Sequence, residues 1–273
     1  MNTKITNILR VGATVMAVAL PVAGLSACSQ QQFTEAVTGR TPYHANYWVI
    51  DADTSGSTAS QTYPNGSYEQ QIMAALALAA RNQATVYAAP IDGNAVGDAT
   101  WTIDGERLRS SAGGGNPQLA EAARVQMAQR LRPPVRALLH SRPTNGSDIV
   151  GGLQRVAQLG RDLPRSAPKT LVLLTDGAIN LSLYGGYDVY AAPPNTPAKR
   201  RAVIAQLRRS DELPRLPGWN VYLGGIGVGI GDRTTARGVI ALWEALVPAM
   251  GAHLVQVNST LGFSSDGQAG LGS

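Results

Sequence analysis

Short apolar runs that alternate with stretches of helical periodicity are the strongest constraint on the fold. "YWVIDA", which begins at Tyr47, and "KTLVLL", which begins at Lys169, are apolar over a length typical of buried strands. Between them "GSYEQQIMAALALAARNQ" has apolar residues at helical spacing. Strands that are apolar throughout lie in sheets covered on both faces, and strand–helix alternation is typical of parallel sheets. The pattern therefore predicts an α/β chain: a doubly wound, mostly parallel central sheet with helices on both faces, in a Rossmann-like three-layer arrangement.

Two dipeptides of types common at turns and helix ends give more local predictions. A helix rich in Ala and Arg is expected from Pro117 to about Arg132, where the pair Pro133–Pro134 should stop it. The dipeptide Asp104–Gly105 is expected to form a turn in an exposed, partly alternating segment.

The N-terminal region carries a targeting signal. A short basic leader precedes an apolar stretch of small residues that is too short and too interrupted by Pro and Gly for a comfortable membrane span. This layout predicts a signal peptide over residues 1–27. The next residues, "LSAC", end at Cys28, the only cysteine in the chain, and resemble the lipobox of bacterial lipoproteins. The resemblance implies cleavage before Cys28 and a diacylglycerol on its thiol; the alternative is an ordinary signal peptide with an incidental cysteine.

These signals divide the chain into four parts. We expect a signal peptide (1–27), a polar lipidated tether (28–45), a folded domain (46–260) and a flexible tail (261–273). Two or three acyl chains would hold the protein stably on a membrane. The expected location is therefore the cell membrane, lipid-anchored on its extracytoplasmic face, either periplasmic or at the cell surface.

The charge of the chain argues against nucleic acid as a partner. The formal net charge is +5, and removal of the leader with Lys4 and Arg10 leaves 5 − 2 = +3. That charge is mild and scattered. The one basic stretch, "AKRRAVIAQLRRS", is typical of the solvated face of a helix.

Small oxygen-bearing side chains are concentrated just past the first strand. Asp53, Ser55 and Ser57 have a spacing that brings alternate side chains to one side of a loop. Carboxylate and hydroxyl oxygens are hard donors suited to Mg²⁺ or Mn²⁺. Ligands of such sheets bind beyond the carboxyl ends of the strands, where Ser147 in "TNGSDI" and Asp176 in "LLTDG" could reach the same point.

This set of residues resembles the metal-ion-dependent adhesion site of the von Willebrand factor A domains. The family pattern is D-x-S-x-S after the first strand, Thr or Ser in a second loop and Asp in a third, and the chain has Asp53, Ser55, Ser57, Ser147 and Asp176 in that order. The resemblance implies one divalent cation, Mg²⁺ or else Mn²⁺ or Ca²⁺, bound by the three serines directly and by the two aspartates directly or through water. It also implies a protein partner whose acidic side chain completes the coordination, and a binding module rather than an enzyme.

Asp51 admits two interpretations within this scheme. It lies two residues before Asp53, so it either sits beyond the last buried residue or adds charge to the site. A different class of protein also fits locally, because Asp51 and Asp53 form the D-x-D that opens the haloacid dehalogenase-like phosphatases. There the first Asp is a nucleophile and the second a general acid. That scheme lacks a second acid after Asp232, where Ala236 stands.

Other enzyme signatures are missing. The sequence has no G-x-S-x-G, and its three histidines (His44, His140 and His253) are isolated. "GGIGVGIG" lies within and after a late strand and is typical of strand and turn glycines. We therefore expect no small-molecule substrate. A third possibility is a metal-free domain that helps assemble an envelope complex, for which the long Gly/Pro loop at 183–197 would be a suitable surface.

Overall fold

The computed structural model describes residues 45–59, 67–93, 95, 100–109, 116–140, 146–179 and 187–263. The expected signal peptide, the lipidation site at Cys28 and nearly all of the tether lie outside these residues. Within the described ranges, no helix has both the length and the apolar composition needed to cross a bilayer.

Six strands form one sheet in the described part of the chain, in the order β3-β2-β1-β4-β5-β6. All neighbours are parallel except β3, which runs antiparallel to β2. The predicted, mostly parallel sheet is confirmed. The strands are β1 (Tyr47–Asp53), β2 (Thr85–Ile91), β3 (Ile103–Arg107), β4 (Lys169–Leu174), β5 (Trp219–Gly224) and β6 (His253–Asn258).

Six α-helices in the described ranges cover the two faces of the sheet. Alternate residues of β1 show the division, since Trp48 and Ile50 belong to one buried cluster and Val49 to the other. The helices are α1 (Ser67–Arg81), α2 (Pro117–Arg130), α3 (Arg132–Leu139), α4 (Ile149–Asp162), α5 (Pro197–Arg209) and α6 (Arg233–Ala249). Helices α1 to α3 contribute to the cluster of Trp48, and helices α4 to α6 to the cluster of Val49. The doubly wound, three-layer architecture is thereby confirmed.

The order of the strands reverses between β1 and β4. From β1 the chain proceeds outward to β2 and β3, and from β4 it proceeds in the other direction to β5 and β6. At such a reversal the loops leave the carboxyl ends of two neighbouring strands in opposite directions, and a crevice opens between them. The residues that follow β1 and β4 are those with the concentrated oxygen donors.

A helix ends close to the pair Pro133–Pro134, as predicted, but the pair also lies in the first turn of a further helix that was not predicted. Helix α2 ends at Arg130, and α3 follows from Arg132 with proline in its first turn. Proline lacks an N–H, but the first N–H groups of a helix have no partner within the helix. The same residues that end one helix are therefore well suited to start the next.

Asp104–Gly105 lies inside a strand, and the predicted turn was wrong. Both residues belong to β3, and Gly105 has a φ of 66°. The pairing of β2 with β3 shifts in register between Val86 and Ala88. Gly105 thus adopts a turn-like backbone conformation within an irregular edge strand without reversing the chain.

The folded unit extends past residue 260, where the tail was expected to begin. Leu261 is buried, and its backbone N–H donates to Oε1 of Gln71 at 2.9 Å. The ring of Phe263 lies 5.4 Å from that of Tyr222. Residues 261–263 therefore cover the face of the sheet occupied by α1, and residues 264–273 lie outside the described part.

Candidate functional site

The five residues singled out in the sequence meet at the carboxyl ends of β1 and β4. Asp53 is the last residue of β1, Ser147 lies just before α4, and Asp176 follows the end of β4 at Leu174. Asp53, Ser55, Ser147 and Asp176 are each at most 2% exposed, while Ser57 is exposed. Three loops that are far apart in sequence thus contribute to one small site.

Asp53 is at the centre of the hydrogen bonds of the site. Its Oδ1 accepts from the backbone N–H of Ser55 at 2.9 Å, and its Oδ2 accepts from the hydroxyl of Thr175 at 2.8 Å. The hydroxyls of Ser55 and Ser147 also hydrogen-bond to this carboxylate. One carboxylate therefore joins all three loops.

The loop after β1 is held by side-chain to backbone hydrogen bonds. Residues Gly56–Thr58 form one turn of 3₁₀-helix. The hydroxyl of Thr58 donates to the carbonyl oxygens of Asp53 at 2.7 Å and Ser55 at 3.0 Å. This turn brings the hydroxyl oxygens of Ser55 and Ser57 to within 3.0 Å of each other.

In the second loop, Asp148 has a structural role, and Ser147 lies at the site. Asp148 caps α4, with Oδ1 accepting from the backbone N–H of Gly151 at 2.8 Å. A Cβ at Gly151 would collide with the Asp148 carboxylate, so glycine allows the close approach. Asp148 is occupied by the cap, and among the described residues of this loop Ser147 is the one whose side chain hydrogen-bonds to Asp53.

The third loop is locked around Asp176. Its Oδ1 accepts from the backbone N–H of Ala178 at 2.8 Å, and the hydroxyl of Ser57 also hydrogen-bonds to it. The next residue, Gly177, has a φ of 78°, and its carbonyl oxygen accepts from the indole N–H of Trp243 at 3.0 Å. The tight turn directs the Asp176 carboxylate towards the loop after β1.

Two buried carboxylates approach each other here without a cationic side chain. Burial raises the pKa of Asp176 to about 6, and the charge of Asp53 adds to that increase. Burial also raises the pKa of Asp53, against the opposing effect of its hydrogen bonds to Ser55, Thr175 and Ser147. Among the described residues, neither carboxylate takes part in an ion pair. Their charged forms are therefore short of stabilising positive charge.

Tyr68, the second residue of α1, adds a further polar group at this point. Its side chain is fully buried, and its hydroxyl has no hydrogen-bond partner within the described part of the chain. Burial raises its pKa well above the ordinary value, and the charges of Asp53 and Asp176 raise it further. A buried, unpaired phenol facing two carboxylates leaves hydrogen-bonding capacity that a bound water or ion could satisfy.

The donor set fits a hard divalent cation. Two carboxylates and three hydroxyls supply only oxygen, the donor type that Mg²⁺, Mn²⁺ and Ca²⁺ prefer. No cluster of three or more His, Cys, Asp or Glu residues occurs in the described ranges. The serines would therefore supply more than half of the protein donors, which suits a weakly held ion with an open coordination position rather than a closed structural site.

Asp51 fits neither interpretation made from the sequence. It lies within β1, fully buried, and its Oδ1 is 3.3 Å from Nη2 of Arg155 on α4. Arg155 also donates to the carbonyl oxygens of Pro90 and Ala95, and its guanidinium lies 5.1 Å from the centre of the Trp101 ring. Burial raises the pKa of Asp51 to about 6 even though Arg155 lowers it. A carboxylate enclosed in this way does not fit the nucleophile of a phosphatase, which must reach its substrate.

Several residues of the site were missed by the sequence reasoning. Thr175 directly precedes Asp176, and its position at a strand end was a usable signal. Tyr68 and Thr58 belong to no sequence motif that would have pointed to the site. Tyr190 in the long loop is 49% exposed, and its pKa is raised by burial and by the nearby charges of Asp176, Asp188 and Asp53. The backbone N–H of Val189 donates to the carbonyl oxygen of Ile179 at 2.9 Å, so part of the loop at 183–197 lies next to the loop of Asp176.

Comparison with known proteins yields solved structures only: no protein-family model and no curated protein matches the chain. The pilus adhesin SpaC from Lactobacillus rhamnosus GG matches with 12% identity and a TM-score of 0.48, over 84% of this chain and 29% of SpaC. The vWF domain of the pili tip protein Mfa5 from Porphyromonas gingivalis matches with 12% identity and a TM-score of 0.39, over 79% and 91%. The manganese-loaded TRAP protein of Plasmodium vivax matches with 17% identity and a TM-score of 0.35, over 76% and 74%.

A vWF domain is thus among the matched structures. The chain spans less than a third of the length of SpaC.

Proposed function

We propose that this chain is a von Willebrand A-type binding module, held by a lipid on Cys28 at the extracytoplasmic face of a membrane. The module binds one divalent cation through Asp53, Ser55, Ser57, Ser147 and Asp176. Through that cation it binds an acidic side chain of a protein partner. The observation that carries the proposal is the meeting of two buried carboxylates and three hydroxyls from three loops, with no cationic side chain of the described chain to balance them.

Electrostatics favour a cation over an empty site. Two close carboxylates raise each other's pKa, and burial adds to the cost of charging them. A divalent cation removes both costs, because it supplies positive charge where the described residues place none. It would also give the exposed hydroxyl of Ser57 and the buried hydroxyls of Ser55 and Ser147 a common partner.

The same donor set favours an acidic partner. Mg²⁺ takes about six oxygen ligands, so five protein oxygens leave at least one position open. Three of the five donors are neutral hydroxyls, which leave the ion more positive than a site made of carboxylates would. A carboxylate from a partner is the protein ligand that best matches such a position. Tyr190, which is half-exposed and whose pKa is raised in part by the charges of Asp176 and Asp53, would contact the partner around the acidic group.

Calorimetric titration of Mg²⁺ and Mn²⁺ into the full chain tests the cation. Wild type should give a saturable heat with one ion per chain, and Ser55→Ala and Asp176→Asn should each abolish it. Asp104→Asn on the edge strand β3 makes the same charge change at an exposed position and should bind like wild type. Equal heats for wild type, Ser55→Ala and Asp176→Asn would contradict the proposal.

The partner is tested separately. Immobilised protein should retain a binding partner from the cell envelope in Mg²⁺ and release it with a chelator. If the partner is retained equally well with chelator and by the Asp176→Asn variant, a metal-free role in assembling an envelope complex would be favoured instead.

A further inference from the structure

A second feature lies at the opposite end of the sheet from the candidate metal site. Three adjoining clefts at the amino ends of β4 and β5 share Arg215 and are bounded by Lys169, Trp219 and Pro217. Four exposed arginines line these clefts, and we call them the amino-edge arginine cluster: Arg161, Arg165, Arg208 and Arg215.

The charge of this cluster is not balanced by the described residues. None of its four arginines takes part in an ion pair there, and Asp211 is the one acidic residue that lines the clefts. On the α1–α3 side, by contrast, Arg81 pairs with Glu121, and Arg132 and Arg136 pair with Glu69. The amino edge therefore has four exposed arginines without an ion pair among the described residues, against one acidic residue in the clefts.

The framework under the cluster is rigid. The ammonium group of Lys169 donates to the carbonyl oxygens of Pro164 at 2.8 Å, Ala167 at 3.1 Å and Arg165 at 3.3 Å. It is thus used to hold the turn that carries Arg165. Arg161 and Arg208 lie at the ends of α4 and α5, and helices of a parallel sheet end at its amino edge. The arginine backbones are therefore held in one surface.

The described chain also begins at this edge. The N–H of Tyr47 donates to the carbonyl oxygen of Pro168 at 3.0 Å, and Tyr47 pairs with Lys169 across β1 and β4. The segment between Cys28 and Ala45, even if fully extended at about 3.5 Å per residue, spans at most roughly 60 Å. A lipid on Cys28 would thus limit the distance of the amino edge from the bilayer to roughly 60 Å, so contact with the lipid surface has to come from the cluster itself.

We propose that the amino-edge arginine cluster docks on an anionic lipid surface and orients the domain with its candidate metal site away from the membrane. The inference rests on the lipid anchor of the proposed function and not on its cation. Each basic residue near an anionic bilayer adds attraction that decays within a screening length of about 8 Å at physiological salt. Arginine suits this contact because its planar guanidinium binds two phosphate oxygens at once. The orientation presents the rim with Asp53 and Asp176 to a partner in the surrounding space.

Vesicle co-sedimentation of the mature chain, residues 28–273 without the apolar leader, tests the docking. All variants carry Cys28→Ser, so no lipid is attached, and chelator is present, so the candidate metal site does not contribute. The protein should bind vesicles of phosphatidylcholine and phosphatidylglycerol better than vesicles of phosphatidylcholine alone. Arg161→Glu/Arg215→Glu should weaken that preference at least about tenfold, and raised salt should remove it.

A matched double variant controls for net charge. Arg201→Glu/Arg237→Glu makes the same charge change at exposed positions of α5 and α6 outside the cluster, and it should retain the preference. An equal loss in both double variants would overturn the proposal, since total charge would then explain the binding. Full competition by inorganic phosphate at the phosphate concentration of the lipid would also overturn it, by showing a site for small anions instead of a membrane surface. Metal binding by the cluster variants should stay as in wild type, so failure here is distinguishable from failure of the cation site.

Discussion

The hydroxyl of Thr175 donates to Oδ2 of Asp53 at 2.8 Å, and this bond joins the carboxyl ends of the two central strands. Both groups are fully buried. The same hydroxyl oxygen accepts from the N–H of Gly177 at 3.0 Å, so the loop before Asp176 is tied to the loop after Asp53.

Thr175→Val should therefore destabilise the fold and weaken the cation site. Loss of a hydrogen bond to a buried charged group costs about 1.5–3 kcal/mol. Urea unfolding in chelator should show that loss, and Mg²⁺ titration should show weaker binding. Thr85→Val, at a buried position of β2 without a side-chain hydrogen bond among the described contacts, is the matched control and should change stability little. If both variants changed stability and Mg²⁺ binding equally, the hydrogen bond from Thr175 to Asp53 would have no special role.

Gly177→Ala should disrupt the turn that presents Asp176. Its φ of 78° is unfavourable for alanine, and a Cβ would lie 2.6 Å from Nε1 of Trp243. Gly218→Ala shares the positive φ, at 73°, but its Cβ would meet nothing within 4 Å. The control should lose about 1 kcal/mol of stability and Gly177→Ala clearly more, as measured by thermal or urea unfolding. Similar losses would show that the contact with Trp243 relaxes freely.

Removal of Arg155 should be costly because it leaves Asp51 buried and unpaired. We expect Arg155→Met to lose about 3–5 kcal/mol in chemical denaturation. The double variant Asp51→Val/Arg155→Met removes both charges and should recover much of that loss. A double variant as unstable as the single one would mean that the contacts of Arg155 with Pro90, Ala95 and Trp101 matter more than the ion pair.

The metal-free protein should lose stability as pH rises through the titration of Asp176. Its pKa is raised to about 6 in the folded state, so folding favours the protonated form. That contribution is fully present below the unfolded pKa of about 4 and is lost by the time pH passes the folded pKa. The difference in unfolding free energy between wild type and Asp176→Asn should therefore change between about pH 4 and pH 6. In the presence of Mg²⁺ the dependence should reverse, because the cation binds the ionised carboxylate. A difference that is constant over this range would contradict the raised pKa.

The end of the folded domain can be checked by truncation. A chain that ends at residue 260 loses the buried side chain of Leu261 and the contact of Phe263 with Tyr222. We expect it to be about 2–4 kcal/mol less stable than a chain that ends at Phe263. Equal unfolding midpoints would place the boundary at 260, as the sequence suggested.

The layered α/β architecture was predictable because it depends on periodicity, which is local. Apolar runs such as Leu171–Leu174 are buried on both sides, and the helix that begins at Ser67 has the expected spacing. Proline and glycine were harder to interpret. Pro133 is compatible with either end of a helix, and Gly105 with a turn or an irregular strand, so their neighbours in space determined the outcome.

The donor types of the candidate site were also legible in the sequence, since D-x-S-x-S and the residues at 147 and 176 follow strand or helix boundaries. Their meeting was only an expectation, because it depends on the order of the strands. The structure places β1 beside β4, and that adjacency brings Asp176 to Ser57. Ser147 reaches Asp53 from the start of α4, where the N–H of Asp148 donates to the carbonyl oxygen of Asp92 just after β2.

The sequence alone determined which residues alternate and which oxygens are available, because each of these depends on near neighbours along the chain. Tertiary structure alone decided that Asp51 pairs with Arg155 rather than joining the metal donors, and that four arginines gather at one edge of the sheet. Pairing energies depend on distance and burial in three dimensions, and residues 104 positions apart carry no sign of one another in the sequence.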